Sequence, residues 1–236
     1  IFHILNHAAF KASLFMAAGI IDHETGSRDM RQLNGLWHAM PITATLAMVA
    51  SSAMAGVPLL NGFLSKEMFF SETLQLDAHP VFEVMVPLVA VVSASLSVAY
   101  SVRFIHDVFF NGEPVGLTRT PHEPPRWMRI PVEILVVVCL AVGIVPGLTI
   151  GPVLAVAARG ALGDQVPAYS LALWHGFNVP LLMSSIALAA GVALYFTLQK
   201  TVNLHASAQL PVSGKRVFDR MLRGLERGGR RFVALS

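Results

Sequence analysis

The stretch Met54-Ala55-Gly56-Val57-Pro58-Leu59-Leu60-Asn61-Gly62-Phe63-Leu64-Ser65-Lys66-Glu67 puts a helix break and a charged residue inside an apolar segment. Pro58 has no N–H and its ring clashes with the carbonyl four residues back, while Gly56 and Gly62 accept dihedrals that a helix does not contain. Backbone freed in this way persists at membrane depth only where protein or a water-filled cavity satisfies it. Just beyond the break stands Lys66, and a charged side chain at mid-bilayer costs at least about 2.5–3.5 kcal/mol. The combination predicts a discontinuous membrane helix holding an ionisable group, with Gly56, Pro58, Asn61 and Gly62 forming the break. A plain proline kink with Lys66 near an interface beside Glu67 is the simpler alternative.

The rest of the chain has the same character. Hydrophobic residues make up 54% of the 236, charged residues only 13%, and the mean hydropathy is +0.61. The apolar residues fall in blocks near the length that crosses ~30 Å of hydrocarbon, so the fold class expected is an all-α, polytopic membrane bundle. The single Cys139 excludes an internal disulfide. A first residue Ile1 already inside an apolar block leads us to expect a portion of a longer protein.

Five spans are expected. Helix A covers roughly 1–21 and runs into a polar loop, Asp22 to Asp29; helix B starts near Pro41, is interrupted around 56–62 and ends near 76. Helix C covers about 81–109, helix D about 130–157 with its regular part ended early by Gly143, Pro146, Gly147 and Pro152, and helix E about 179–199. Lys and Arg number thirteen in the loops after A and C and the tail after E, against Arg159 alone on the opposite side. That bias places the basic side in the cytoplasm. Residues 214–232, with Val217, Phe218, Met221, Leu222 and Leu225 at helical spacing against arginines, read as an amphipathic helix lying on the membrane rather than a sixth crossing.

His3, His7 and Lys11 are four residues apart and form one stripe of helix A, extending over ~12 Å at ~1.5 Å per residue. That is the layout of a proton relay bridged by water. Neutral packing histidines with a snorkelling lysine are the alternative, and a metal site lacks both a nearby carboxylate and the glutamate of a zincin helix. Arg103, His106 and Asp107 near the end of helix C fit a proton exit path or an interfacial ion-pair cluster. Ser93, Ser97 and Ser101 suit helix–helix packing. No cofactor, no resident metal and no nucleic-acid partner are expected.

The run His3-Ile4-Leu5-Asn6-His7-Ala8-Ala9-Phe10-Lys11, the loop Asp22-His23-Glu24-Thr25-Gly26-Ser27-Arg28-Asp29, the break through Lys66-Glu67, and Pro121-His122-Glu123-Pro124-Pro125-Arg126-Trp127-Met128 together resemble the A subunit of Mrp-type multisubunit cation/proton antiporters. That subunit is related to the antiporter-like proton-pumping subunits of respiratory complex I. The match is carried by about 1–155. The resemblance implies that residues 1–110 are the last three helices of the second of two inverted repeats, 111–200 additional transmembrane helices, and 201–236 a basic segment on the cytoplasmic side. It implies that Lys66 is the broken-helix lysine, Lys11 the adjacent relay lysine, and His3 and His7 the relay histidines. The first repeat, with its glutamate–lysine pair, lies outside this chain.

The function expected is therefore a share of the proton path in a bacterial inner-membrane Na⁺/H⁺ antiporter, a transporter subunit rather than an enzyme, working with other subunits in the lipid bilayer. A proton-pumping subunit of complex I or of a membrane-bound hydrogenase, and a non-conducting scaffold, are the alternatives.

Overall fold

The computed structural model describes residues 1–77, 79–166, 169–172, 174, 176–201 and 217–226, and all regular structure among them is helical. The chain divides into two units, Ile1–Thr197 and Leu198–Ser236. The first contains α1 (Phe2–Thr25), α2 (Pro41–Ala55), α3 (Asn61–Leu74), α4 (Pro80–Ile105, continuing into one π turn, His106–Phe110), α5 (Arg126–Ile144), the single turn α6 (Pro146–Thr149), α7 (Gly151–Leu162), and most of α8 (Val179–Thr201). In the second, residues 217–226 are helical and Val217, Phe218, Met221, Leu222 and Leu225 are exposed. The other parts of the expected 214–232 helix lie outside the described residues.

Local chemistry explains where the helices start and stop. Prolines open α2 and α4 at positions whose N–H has no helical partner. α1 stops at Gly26, which adopts a left-handed φ of 68° and returns its N–H to the Asp22 carbonyl. The helix therefore takes in residues 22–25, which the sequence assigned to a loop. The Thr25 hydroxyl closes that last turn on the Ile21 carbonyl at 2.6 Å, so the glycine, not the first charged residue, is the stop. Expected helix D starts earlier, at Arg126 right after Pro124-Pro125, while its regular part ends as expected before Pro146, at Ile144, and α7 is a separate short helix.

Among the described residues four helices are long and apolar enough to cross a membrane: α1, α4 with its π turn, α5 and α8. α2 and α3, 15 and 14 residues, are each too short alone and together make the fifth crossing. The loops show this. Val115 N–H donates to the Gln32 carbonyl at 3.2 Å, Leu36 N–H to Val108 at 3.2 Å and Trp37 N–H to Phe109 at 3.1 Å. The ends of α1 and α4 and the start of α2 thus lie together at one end of the bundle, so the chain between α1 and α4 has crossed once and returned. Arg28, Arg31, Arg119, Arg126 and Arg129 all belong to the loops and helix ends gathered there, which makes it the basic end.

α2 is the centre of the bundle. Ala44, Ala47, Ala50 and Ala53 are completely enclosed, as is Ala17 of α1, and such small residues let helix backbones approach where lipid removes the hydrophobic incentive to associate. α8 meets α4 in the same way: a Cβ added at Gly191 would lie 2.5 Å from the Ser95 carbonyl oxygen. Of the expected α4 serines, Ser101 serves packing: it is buried, returns its hydroxyl to the Ser97 carbonyl at 2.8 Å, and accepts the Ser51 hydroxyl on its own carbonyl at 3.3 Å, whereas Ser93 is exposed.

Candidate functional site

α2 ends in a Schellman turn: Gly56, φ 81°, gives its N–H to the Ala53 carbonyl and Val57 gives its N–H to the Ser52 carbonyl. Pro58 then forbids continuation, and Leu59 takes a φ of 70°, rare for a residue with a branched side chain and a mark of local strain. The helix resumes at Asn61. The turn leaves the Ala55 carbonyl, on the last residue of α2, without a helical donor. Lys66 supplies one, its ammonium Nζ donating to Ala55 O at 2.5 Å. The cation thus rests on the negative end of a half-helix, where carbonyl dipoles favour it.

Two glycines are required by this geometry. A Cβ on Gly56 would stand 2.6 Å from Lys66 Cδ and 3.2 Å from Nζ, so the residue that turns the backbone also leaves room for the lysine stem. A Cβ on Gly62 would fall 1.7 Å from the Ala53 carbonyl oxygen, so the two half-helices pass at backbone contact. From outside, α5 closes on the break through Gly143, whose added Cβ would lie 2.2 Å from the Leu59 carbonyl oxygen.

α1 packs against the same break. Asn61, fully buried, donates from Nδ2 to the Asn6 carbonyl at 3.3 Å, and Ala9 and Phe10 pack with Ala53, Met54, Leu60 and Cys139. His3 approaches α3 directly, with Nδ1 3.3 Å from Ser65 Oγ; that hydroxyl donates to Gly62 at 3.1 Å, so the imidazole N–H is the donor. His3 and His7 have ring centroids 5.7 Å apart, and His7 meets Phe10 edge-on at 5.3 Å. His3, His7 and Lys11 all lie on α1, with His3 and His7 exposed and Lys11 half-buried at the surface of this chain.

Beside His3, a cleft of about 940 Å³ is lined by Ser65, Glu67, Glu72, Tyr169 and Asn178 among others. Glu67 is buried there and accepts from Asn178 Nδ2 at 3.2 Å. His106 and Asp107 gather elsewhere, in the π turn that ends α4: the Tyr195 hydroxyl of α8 lies 2.7 Å from His106 Nδ1 and donates to Asp107 at 2.7 Å, and Arg103 reaches the other Asp107 oxygen at 3.3 Å.

Sequence reasoning did not single out Asn6, Tyr195, Glu67 or the Ala55 carbonyl. Asn6 and Tyr195 carried a signal, each a polar group in an apolar helix. Ala55 carried none, because its acceptor is backbone.

Residues 1–94 match the family described as NADH:quinone oxidoreductase/Mrp antiporter, transmembrane. The probable A/B subunit of a K(+)/H(+) antiporter of Rhizobium meliloti (strain 1021) is 57% identical over 94% of this chain and 22% of its own length. The A subunit of a Na(+)/H(+) antiporter of Bacillus subtilis (strain 168) is 35% identical over 98% of this chain and 30% of its own. The structure of the Mrp complex from Dietzia sp. DQ12-45-1b contains a chain that superposes with a TM-score of 0.77 at 32% identity, covering 98% of this chain and 24% of that one. Similarity therefore extends well beyond residue 155, and the chain spans 22% to 30% of the relatives it matches. Over nearly its whole length the chain is thus similar to the A subunits of Mrp-type antiporters.

Proposed function

We propose that this chain carries part of the membrane-embedded proton path of a multisubunit monovalent cation/proton antiporter, with Lys66 as the group that takes up and releases the proton. The observation that carries the reading is the bond from Lys66 to the last carbonyl of α2. An ammonium has a reason to stay on that carbonyl, and a neutral amine has much less, so protonation and position are coupled at this one residue. His3, at the cleft, and His7 and Lys11 continue the path along α1, each step being bridged by water. The His106–Asp107–Tyr195 group at the basic end is its exit.

The whole protein works with the other subunits of its complex in the bacterial inner membrane, as a secondary transporter subunit rather than an enzyme. The more similar relative quoted is named a probable K(+)/H(+) antiporter subunit and the less similar one a Na(+)/H(+) antiporter subunit, so either cation is a candidate and transport is to be measured with both. Residues 1–110 form the repeat helices, 111–200 additional spans, and 201–236 a basic segment along the cytoplasmic surface. A redox-driven pumping subunit is the second reading, favoured only by the breadth of the family matched by residues 1–94. The test is Lys66→Ala in the complete complex: assembly stays normal and cation-driven proton exchange is lost, whereas normal exchange would overturn the proposal.

A further inference from the structure

Two polar stretches take no part in the break, Asp22-His23-Glu24-Thr25-Gly26 and Pro121-His122-Glu123-Pro124-Pro125, and the structure brings them together at the basic end. Glu24 is buried, 4% exposed, and a different histidine takes each carboxylate oxygen: His23 Nδ1 is 2.9 Å from Oε1 and His122 Nδ1 is 3.0 Å from Oε2. Both histidine side chains are exposed at the surface of this chain, 60% and 71%. Around them Arg119 donates to the His23 carbonyl at 2.6 Å and Thr118 to the Thr25 carbonyl at 3.4 Å. The residue after His122 holds the start of α2: the Glu123 carboxylate accepts the Ile42 and Thr43 N–H groups at 3.0 Å each and the Thr43 hydroxyl at 2.6 Å.

We propose that His23, Glu24 and His122 are a pH-responsive latch that ties the loop after α4 to the end of α1 and, through Glu123, fixes the first turn of α2. Imidazole is the side chain whose ordinary charge change falls between about pH 5 and 8. With both rings protonated, Glu24 holds two ion pairs across two segments; with both neutral, only uncharged N–H donors remain. The latch is tightest in acid and loosens as the pH on that side rises through neutrality. The other charges facing it are Asp22 with Arg28 at 2.7 Å, Arg119, and Glu123 with Arg129 at 3.6 Å. Carboxylates and guanidinium groups ordinarily titrate well outside this window. In the same loop, hydrogen bonds from the Arg31 side chain and backbone hold the Asp29 carboxyl down at about 2.

The latch reaches the break because one end of α2 is capped by Glu123 and the other accepts Lys66. This link to transport rests on the proposed function; the latch itself does not. Its test is hydrogen exchange at the Val115 amide, which donates to Gln32 across the joined loops, in the complete complex. The protection factor, which divides out the intrinsic pH dependence, is expected to fall about fivefold from pH 6 to pH 8, within what exposed ion pairs supply. In His23→Gln/His122→Gln the fall disappears, and His122→Gln alone, at an exposed position, removes part of it. Equal protection at both pH values in the unaltered protein, or the same fall in the double variant, overturns the latch. Transport is then followed against pH on the basic side. A step between pH 6 and 8 that flattens in the double variant supports the link to Lys66; an unchanged profile overturns that link and leaves the latch to be judged by exchange.

Discussion

At Gly56 one hydrogen atom in place of a methyl group decides where a lysine can sit. Gly56→Ala places a Cβ into the left-handed region and against the Lys66 stem at 2.6 Å, so two strains meet at one position. The expected cost is about 1–3 kcal/mol of local stability, and the Lys66 ammonium leaves the Ala55 carbonyl. Cation/proton exchange should therefore fall in a Gly56→Ala complex that still assembles; unimpaired exchange would show that the Lys66–Ala55 contact is not needed. The lysine and the glycine were both legible in the sequence, because proline, glycine and a charge stand out in apolar surroundings. Their partnership was not, since its acceptor is a backbone carbonyl freed by the Schellman turn and any residue at position 55 would present it. Asn6 and Asn61 were each visible as polar, but only folding brings Asn61 Nδ2 to the Asn6 carbonyl at 3.3 Å.

Elements fix the break from two directions. α5 lies against it with Gly143 at backbone contact with Leu59, whereas Gly147, four residues on, has open space where a Cβ would go. Gly143→Ala is expected to displace the break and lower exchange at least as much as Gly56→Ala does, although residue 143 carries no charge, while Gly147→Ala serves as the control without effect. Comparable behaviour of Gly143→Ala and Gly147→Ala would remove α5 from the account. At the other end of α2, Glu123 caps two N–H groups and a hydroxyl with a carboxylate placed on the positive end of the helix. Its replacement by alanine is expected to cost about 0.5–2 kcal/mol locally, read as lost exchange protection at Ile42 and Thr43. The existence of each span was readable from apolar length, and the break from Gly56 and Pro58. The end of α1 and the start of α5 were not, because charged Asp22 looks like a loop residue until Gly26 is seen to close the turn, and because Arg126 directly after two prolines reads as loop; the early end of α5 was legible from Gly143 and Pro146.

At the scale of the whole molecule, pairing of the loops after α1 and α4 makes α2 and α3 share one crossing beside the four long apolar helices among the described residues. His7 and its neighbour Ile4 stand exposed on the outer face of α1 in a chain that spans 22% to 30% of its relatives. An ionisable stripe facing acyl chains would carry the insertion cost of a charged residue, so in the complete complex this face is expected to meet protein or water. A cysteine placed at His7 should react with a water-soluble maleimide or be shielded by protein; reaction only with a membrane-partitioned reagent would refute the relay. The claim on which the rest depends is that Lys66 exchanges a proton rather than merely holding the break with its charge. Lys66→Arg separates the two, because a guanidinium keeps the positive charge and the hydrogen-bond donors yet does not release its proton at physiological pH. In complexes reconstituted into liposomes, cation-driven proton exchange is predicted to be as low for Lys66→Arg as for Lys66→Ala, with both variants fully assembled; exchange restored by arginine would contradict it and leave Lys66 a structural cation.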